Sequence, residues 1–288
     1  MPFEIQNCPL CGSIQSIHFD TREFRGYQVT NKLCSNCGLV YQSPRMTDEE
    51  LATFYEHEYR QVYQGSEGPL QTDLVVQGQR AEYLLKFVQG EYIENVQRHL
   101  DIGCSAGALL IEFNKAFGCQ SVGIEPGQVY RDYSKKRGLM VYDSLDSLDE
   151  ANDFDLISMA HVLEHLPDPV DYLRRLRKST ITPKGWLLLE VPNLYAHDCF
   201  EVAHLVSFSA HTITQVVEQA GFQINALIKH GRPRSSLIPL YITLLAQPDS
   251  DQKPKRLRPE SGVNMKRQAG MLHRKMLSKL FPRKAWIS

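Results

Sequence analysis

Residues 99–107 read His-Leu-Asp-Ile-Gly-Cys-Ser-Ala-Gly, and Glu125 follows Asp101 at a distance of about twenty residues. An apolar strand that runs into a small-residue turn, followed by a helix over Ala108 to Phe117, lets backbone N–H groups approach a ligand. A second strand ending on a carboxylate can accept hydrogen bonds from ribose hydroxyls. The chemistry implied is the holding of a ribose-bearing cofactor. A dinucleotide turn usually reads G-x-G-x-x-G, whereas here Asp101 precedes Gly103-Cys104-Ser105-Ala106-Gly107.

A second group is made of sulfur. Cys8, Cys11, Cys34 and Cys37 form two C-x-x-C knuckles separated by 22 residues. Two such knuckles present four thiolates to one tetrahedral ion, and a closed Cys₄ sphere leaves no position for water or substrate. A structural Zn²⁺ is therefore expected, replacing the core that so short a module cannot build. The intervening Ser16 to Leu33 suits a hairpin turning near Arg25-Gly26, and Cys104, Cys119 and Cys199 read as small buried residues.

The third group is the string His161-Val-Leu-Glu164-His165-Leu-Pro-Asp168-Pro169, at the end of an apolar strand over Phe154 to Ala160. A neutral imidazole at His161 can take a proton from an acceptor near pH 7, or simply wall the cofactor pocket. His204 and His211 are further candidates, and His165 with Glu164 is expected to tie the loop together. A metal held by His161, Glu164 and His165 is disfavoured, because Leu166-Pro167 interrupts the helix it needs.

These residues need a framework. Thr47 with Glu50 reads as a capping box, followed by Leu51, Phe54, Tyr55 and Tyr59 at helical spacing. A helix over Gln77 to Val88 comes next, with Gln61 to Thr72 read as a mobile loop. Tyr55, Tyr59 and Tyr63 are either lid or core. After Glu125 come a helix over Gly127 to Arg137, a strand over Met140 to Tyr142, and a helix opened by Asp168-Pro169 and running to about Ser179. A strand over Gly185 to Val191 closes on Pro192-Asn193, a helix covers Ala210 to Ala220, and Phe222 to Lys229 with Leu237 to Ala246 make a terminal hairpin.

The first motif resembles the Leu-Asp-Ile-Gly-Cys-x-x-Gly string of class I S-adenosylmethionine-dependent methyltransferases. The His161 string resembles their His-Val-Leu-Glu-His-x-x-Asp-Pro signature. The knuckles, with Gly38-Leu-Val-Tyr41, Ser43-Pro-Arg45 and Phe54-Tyr55, are similar to the N-terminal part of methyltransferases of sugar and surface-polysaccharide pathways. The resemblance implies an α/β, Rossmann-like seven-stranded sheet with its last strand antiparallel, beside a small zinc-ribbon-like module. It implies S-adenosylmethionine held by Asp101, Gly103, Cys104, Gly107 and Glu125, with Ser144 and Leu145 near the adenine. Methyl transfer to a small-molecule or sugar-linked acceptor is the implied activity, with His161 and His204 as catalytic candidates.

Four segments are expected: a zinc module (1–45), a helical connecting and lid segment (46–95), the cofactor-binding core (96–250) and a basic tail (251–288). The tail has eleven Lys/Arg against Asp251 and Glu260, about +9, so a total of −1 leaves about −10 on the body. A body of that sign argues against a nucleic-acid partner. The zinc module and basic tail nevertheless keep an RNA methyltransferase open as an alternative, as is a non-catalytic scaffold. Ala269, Leu272, Met276 and Leu280 mark one face of a basic helix suited to an anionic membrane surface, or to packing back on the domain. With no leader-like apolar run and no span of about 18 apolar residues, a cytoplasmic location is expected.

Overall fold

The computed structural model describes residues 3–65, 68–90, 93–148, 153–250 and 255–287. Its N-terminal hairpin, β1 (Ser16–Phe24) and β2 (Tyr27–Cys34), turns at Arg25-Gly26. The two knuckles meet at its open end. Cys8 Sγ stands 3.6 Å from Cys37 Sγ and Cys11 Sγ 3.5 Å from Cys34 Sγ, with all four sulfurs within 4.8 Å. No disulfide joins them. A tetrahedron of Zn–S bonds near 2.3 Å has edges of about 3.8 Å, so the donor set fits a zinc ion. Contact with Cys8 pushes the Cys37 thiol far up, while the same contact brings Cys8 down to about 6. Sulfurs this close favour a shared cation.

The short strand β3 (Val40–Gln42) pairs with β2 and also with β9 (Val206–Ser207), which belongs to a much later part of the chain. The metal-tied sheet thus runs β1-β2-β3-β9, and its fourth strand follows His204 by two residues. Between module and core come α1 (Asp48–His57), α2 (Tyr59–Gln64) and α3 (Gln71–Gln89). Thr47 and Glu50 form the reciprocal capping box at the start of α1. The segment read as a loop, Gln61 to Thr72, is shorter than expected: α2 continues to Gln64 and α3 begins at Gln71, with residues 66–67 outside the described set. Helix periodicity at the start of α3 is weak because its buried residues, Ala81, Leu84 and Val88, all lie in its second half, and Val75 in its first half is exposed.

The core alternates β4 (Arg98–Ile102), α4 (Ala108–Phe117), β5 (Gln120–Ile124), α5 (Gln128–Lys136), β6 (Met140–Tyr142), β7 (Phe154–Ala160), α6 (Pro169–Ser179) and β8 (Ile181–Pro192). Then follow β9, α7 (Ala210–Gln219), β10 (Phe222–His230) and β11 (Tyr241–Pro248). The seven-stranded sheet has the order β10-β11-β8-β7-β4-β5-β6. Its β4–β8 pairings are parallel, and β11 runs antiparallel to both neighbours. This is the mixed α/β sheet expected. Strands such as Phe154 to Ala160 are apolar on both faces because helices cover both. The chain departs from β4 to one side through β5 and β6, and returns on the other through β7 and β8. That reversal opens a crevice at the carboxyl ends of β4 and β7, the usual place for a ligand.

Two strand starts differ from expectation. Strand β8 begins at Ile181 rather than Gly185, pairing Phe154 with Ile181 across an irregularity. Strand β11 begins at Tyr241, not Leu237; Pro239 has no N–H to give a ladder, and Ser235 Oγ takes the N–H groups of Leu237 and Ile238 instead. The tail forms α8 (Val263–Leu280) and α9 (Pro282–Ala285), while residues 251–254 and 288, part of the segment singled out as the tail, lie outside the described set.

The chain as purified should carry one zinc per molecule by elemental analysis. Cys37→Ser should lose it and several kcal/mol of stability, because metal binding and folding of so small a module are linked. Full stability with zinc absent would contradict the assignment.

Candidate active site

Strand β4 ends on Asp101, and the chain turns through Gly103 to Gly107, where φ is +79° and α4 begins. A side chain at Gly107 would be strained in this left-handed conformation and would drive into Leu139. Asp101 is buried, and its Oδ1 accepts a hydrogen bond from Ser158 Oγ at 2.6 Å. Ser158 in turn lies 2.8 Å from His99 Nε2, whose other nitrogen meets Ser121 Oγ. A polar chain therefore crosses β5, β4 and β7 inside the sheet. Burial keeps His99 neutral, its pKa down to about 3, and pushes the Asp101 carboxyl up to about 7 in spite of the Ser158 hydrogen bond. Glu125 uses one oxygen on Ser105 N–H and the other on Gly127 N–H, which locks the first turn to the start of α5.

Asp101, Gly103, Cys104, Ser105, Ala108 and His161 line a cavity of about 200 Å³, closed on the outer side by Tyr59, Gln77 and Arg80. Glu125 stands behind Ser105. Ser144 caps the single turn Leu145–Ser147 after β6 and bonds to Asp143 and Ser147. The donor set fits a cofactor with a cationic head, because Asp101 offers a buried carboxyl that a positive charge would relieve.

A second cavity of about 360 Å³ shares Tyr59, Gln77, Arg80 and His161 with the first. His165, His197, His204 and Glu201 line it from the core, Phe24 and Arg25 from the tip of the metal-tied hairpin. A larger hollow of about 760 Å³, between hairpin and α1, holds none of the strand-end residues. The two adjoining cavities give room for a cofactor and an acceptor side by side.

The family pattern described as a methyltransferase domain matches residues 76–227, more than half of the chain. The chain belongs to the methyltransferase-domain family. Among curated proteins it is similar to the ubiquinone biosynthesis O-methyltransferase of Actinobacillus pleuropneumoniae serotype 7, 28% identical over 127 residues, covering 40% of this chain and 52% of that one. The chain thus spans about half the length of the curated relatives it matches. Among solved structures it is similar to the Burkholderia thailandensis 1,6-didemethyltoxoflavin-N1-methyltransferase, at 16% identity and TM-score 0.56, covering 74% of this chain and 96% of that one. The mitomycin 7-O-methyltransferase is a further neighbour, at 16% identity and TM-score 0.51, with 68% and 60% covered. At such identities the likeness is one of fold.

Within this S-adenosylmethionine-dependent methyltransferase domain, the histidines differ in charge. His161, at φ +59°, sets Nδ1 3.2 Å from Glu164 Oε1 and Nε2 3.2 Å from Glu190 Oε1. Burial and nearby Arg80 act to lower its pKa, yet the two carboxylates prevail and hold it above the usual histidine value. Both nitrogens of His161 thus face carboxylates, which favour its protonated form. Burial brings His165 down to about 4 and His197 well below the ordinary value, so both are neutral. His165 Nδ1 meets the Ala203 carbonyl at 2.9 Å and Tyr55 Oη at 3.0 Å. His204 is buried, and its Nδ1 lies 2.9 Å from the Cys199 carbonyl. A carbonyl only accepts, so Nδ1 donates, and Nε2 lies 3.8 Å from Glu201 Oε2.

His211 is elsewhere, bonded to the Arg258 carbonyl. Asn193 spends both ends of its side chain on Pro239 and Tyr195. Tyr59 and Tyr63 line the acceptor cavity, whereas Tyr55 serves the core through His165. The single turn Leu163–His165 carries Glu164 and His165, as the interrupting Leu166-Pro167 requires.

Sequence reasoning missed Glu190 and Arg80. Glu190 is fully buried at the end of β8, 2.7 Å from Arg80 of α3 and 3.2 Å from both His161 and His230. The signal was present: one acid in the apolar run Trp186-Leu-Leu-Leu-Glu-Val must have a buried partner. Glu190→Ala would leave Arg80 and His161 as buried cations with one carboxylate fewer. Stability should fall by roughly 3–5 kcal/mol in urea titration; a loss under about 1 kcal/mol would show that the network carries little.

Proposed function

We propose that this chain transfers the methyl group of S-adenosylmethionine to a small-molecule acceptor of the sugar or glycan-precursor kind. The observation that carries the proposal is the joined pair of cavities, one floored by Asp101 and the glycine turn, the other lined by His165, His197 and His204. When bound, the cofactor supplies an already activated methyl whose departure leaves a neutral thioether. The protein must then align the acceptor, exclude water and remove a proton.

Asp101 would hold the cationic head, with Gly103, Cys104 and Gly107 letting the turn approach and Glu125 fixing that turn through Ser105. His204 is the proton acceptor: its Nδ1–H is anchored on a carbonyl, its Nε2 is free for the acceptor hydroxyl, and Glu201 nearby steadies the imidazolium that forms. His161, with a carboxylate at each nitrogen, is a positioning residue that holds Glu164 and Glu190 in place. The O-methyl transfer named in the curated relatives supports an oxygen as acceptor atom. The RNA-directed alternative has less support, because the acceptor cavity is closed over by Tyr59, Tyr63 and the hairpin tip.

Two outcomes test the proposal. A cation bound beside Asp101 lowers a pKa of about 7, so binding expels protons near neutral pH and tightens as pH rises from 6 towards 8. Calorimetry in two buffers of different ionisation heat should show that release, and Asp101→Asn should abolish it and weaken binding about tenfold, roughly 1.4 kcal/mol. No heat from folded, zinc-loaded protein would favour a non-catalytic scaffold. With an acceptor found by screening radiolabelled methyl transfer, His204→Ala should slow turnover by about a hundredfold or more at unchanged cofactor affinity. Unchanged turnover would remove His204 from the chemistry.

A further inference from the structure

Helix α8 docks on the core not through its apolar row but through a face that carries two arginines. With 3.6 residues per turn, Val263, Arg267, Gly270, Arg274 and Leu277 share the inward side. Arg267 is buried there, donating to the carbonyls of Leu194 and His197, with its guanidinium 4.7 Å from the Phe200 ring. Arg274 donates to the Ala196 carbonyl, and Gly270 leaves room for the Tyr195 backbone. The helix is therefore held by guanidinium–carbonyl bonds, and the apolar row marked in the sequence is turned outward.

That row is Met265, Ala269, Leu272, Met276 and Leu280, which fall within an arc of about 80°. Met265, Leu272, Met276 and Leu280 are 72, 69, 49 and 60% exposed, and Phe281 continues the row at 50%. Lys275 and Lys279 border one edge of the arc, and Lys266, which pairs with Glu260 Oε1 at 3.0 Å, lies with His273 at the other. From Ser261 to the end, the chain has seven Lys/Arg and no Asp or Glu. An isolated apolar residue on a surface is ordinary, but a continuous row edged on both sides by cations is not.

We propose that this face of α8 lies on an anionic bilayer surface, with the apolar row at the acyl boundary and the flanking lysines at phosphate level. Charge selects this occupant over a second copy of the chain. Self-pairing through the row would set two acid-free cationic segments against each other, whereas anionic headgroups complement both edges. No helix among the described residues is long and apolar enough to cross a membrane, so the contact is peripheral.

Co-sedimentation of the full chain with vesicles tests the proposal. Wild-type protein should pellet with phosphatidylglycerol-rich vesicles, be released as salt is raised, and stay in solution with pure phosphatidylcholine. Leu272→Glu with Met276→Glu changes only exposed positions and should cut binding about tenfold or more, while circular dichroism shows the fold intact. Equal pelleting of both proteins, or none by wild type at low salt, would overturn the proposal. So would a concentration-dependent dimer in ultracentrifugation, abolished by the same substitutions, without vesicle binding.

Discussion

A fully buried carboxylate, Glu190, is the constraint around which the site is arranged. A charge in the interior must be paired or it is not tolerated, and Glu190 has four cationic or hydrogen-bonding neighbours among the described residues, Arg80, His161, His230 and the Thr243 hydroxyl. Arg80 comes from α3, His161 from the end of β7, and His230 from the end of β10. Satisfying one carboxylate therefore draws the covering helix onto the sheet, fixes the loop after β7 and brings in the terminal hairpin. Arg80 consequently stands in the wall shared by the two cavities. The same interaction sets a carboxylate against each nitrogen of His161, Glu190 at Nε2 and Glu164 at Nδ1.

The metal-tied module acts on the site from a distance. Its sheet is completed by β9, and Gln42 N–H donates to the Leu205 carbonyl at 2.8 Å, next to His204. Its hairpin tip supplies Phe24 and Arg25 to the acceptor cavity. The four-cysteine cluster thus bears on the site through geometry: the sheet it anchors includes the strand next to His204 and one wall of the pocket. Four cysteines far from the acceptor cavity are, in this sense, part of its construction.

The parts of this structure legible in the sequence are those set by local chemistry. The glycine turn with Asp101, the capping box at Thr47, the hairpin between the knuckles and the Asp168-Pro169 helix start each follow from residue types within a few positions. What was not legible depends on pairing between distant segments. Val206 and Ser207 carry no sign that they will join a sheet begun at Ser16, because a two-residue strand has no periodicity of its own. The second carboxylate at His161 was not foreseen, because Glu190 lies 29 residues away on another strand. Helix α8 shows the limit most clearly. Its apolar row was visible, but which face meets the core is decided by Arg267 finding the carbonyls of Leu194 and His197.

The central claim is that a cofactor occupies the crevice between the turn after β4 and the helix that Arg80 pins above it. Hydrogen–deuterium exchange with and without saturating S-adenosylhomocysteine tests this most directly. Binding there should slow exchange in two separate peptides, one containing residues 103–110 and one containing residues 77–84, with the outward face of α8 unchanged. Protection confined to other segments, or no protection of α3 when the turn is protected, would contradict it.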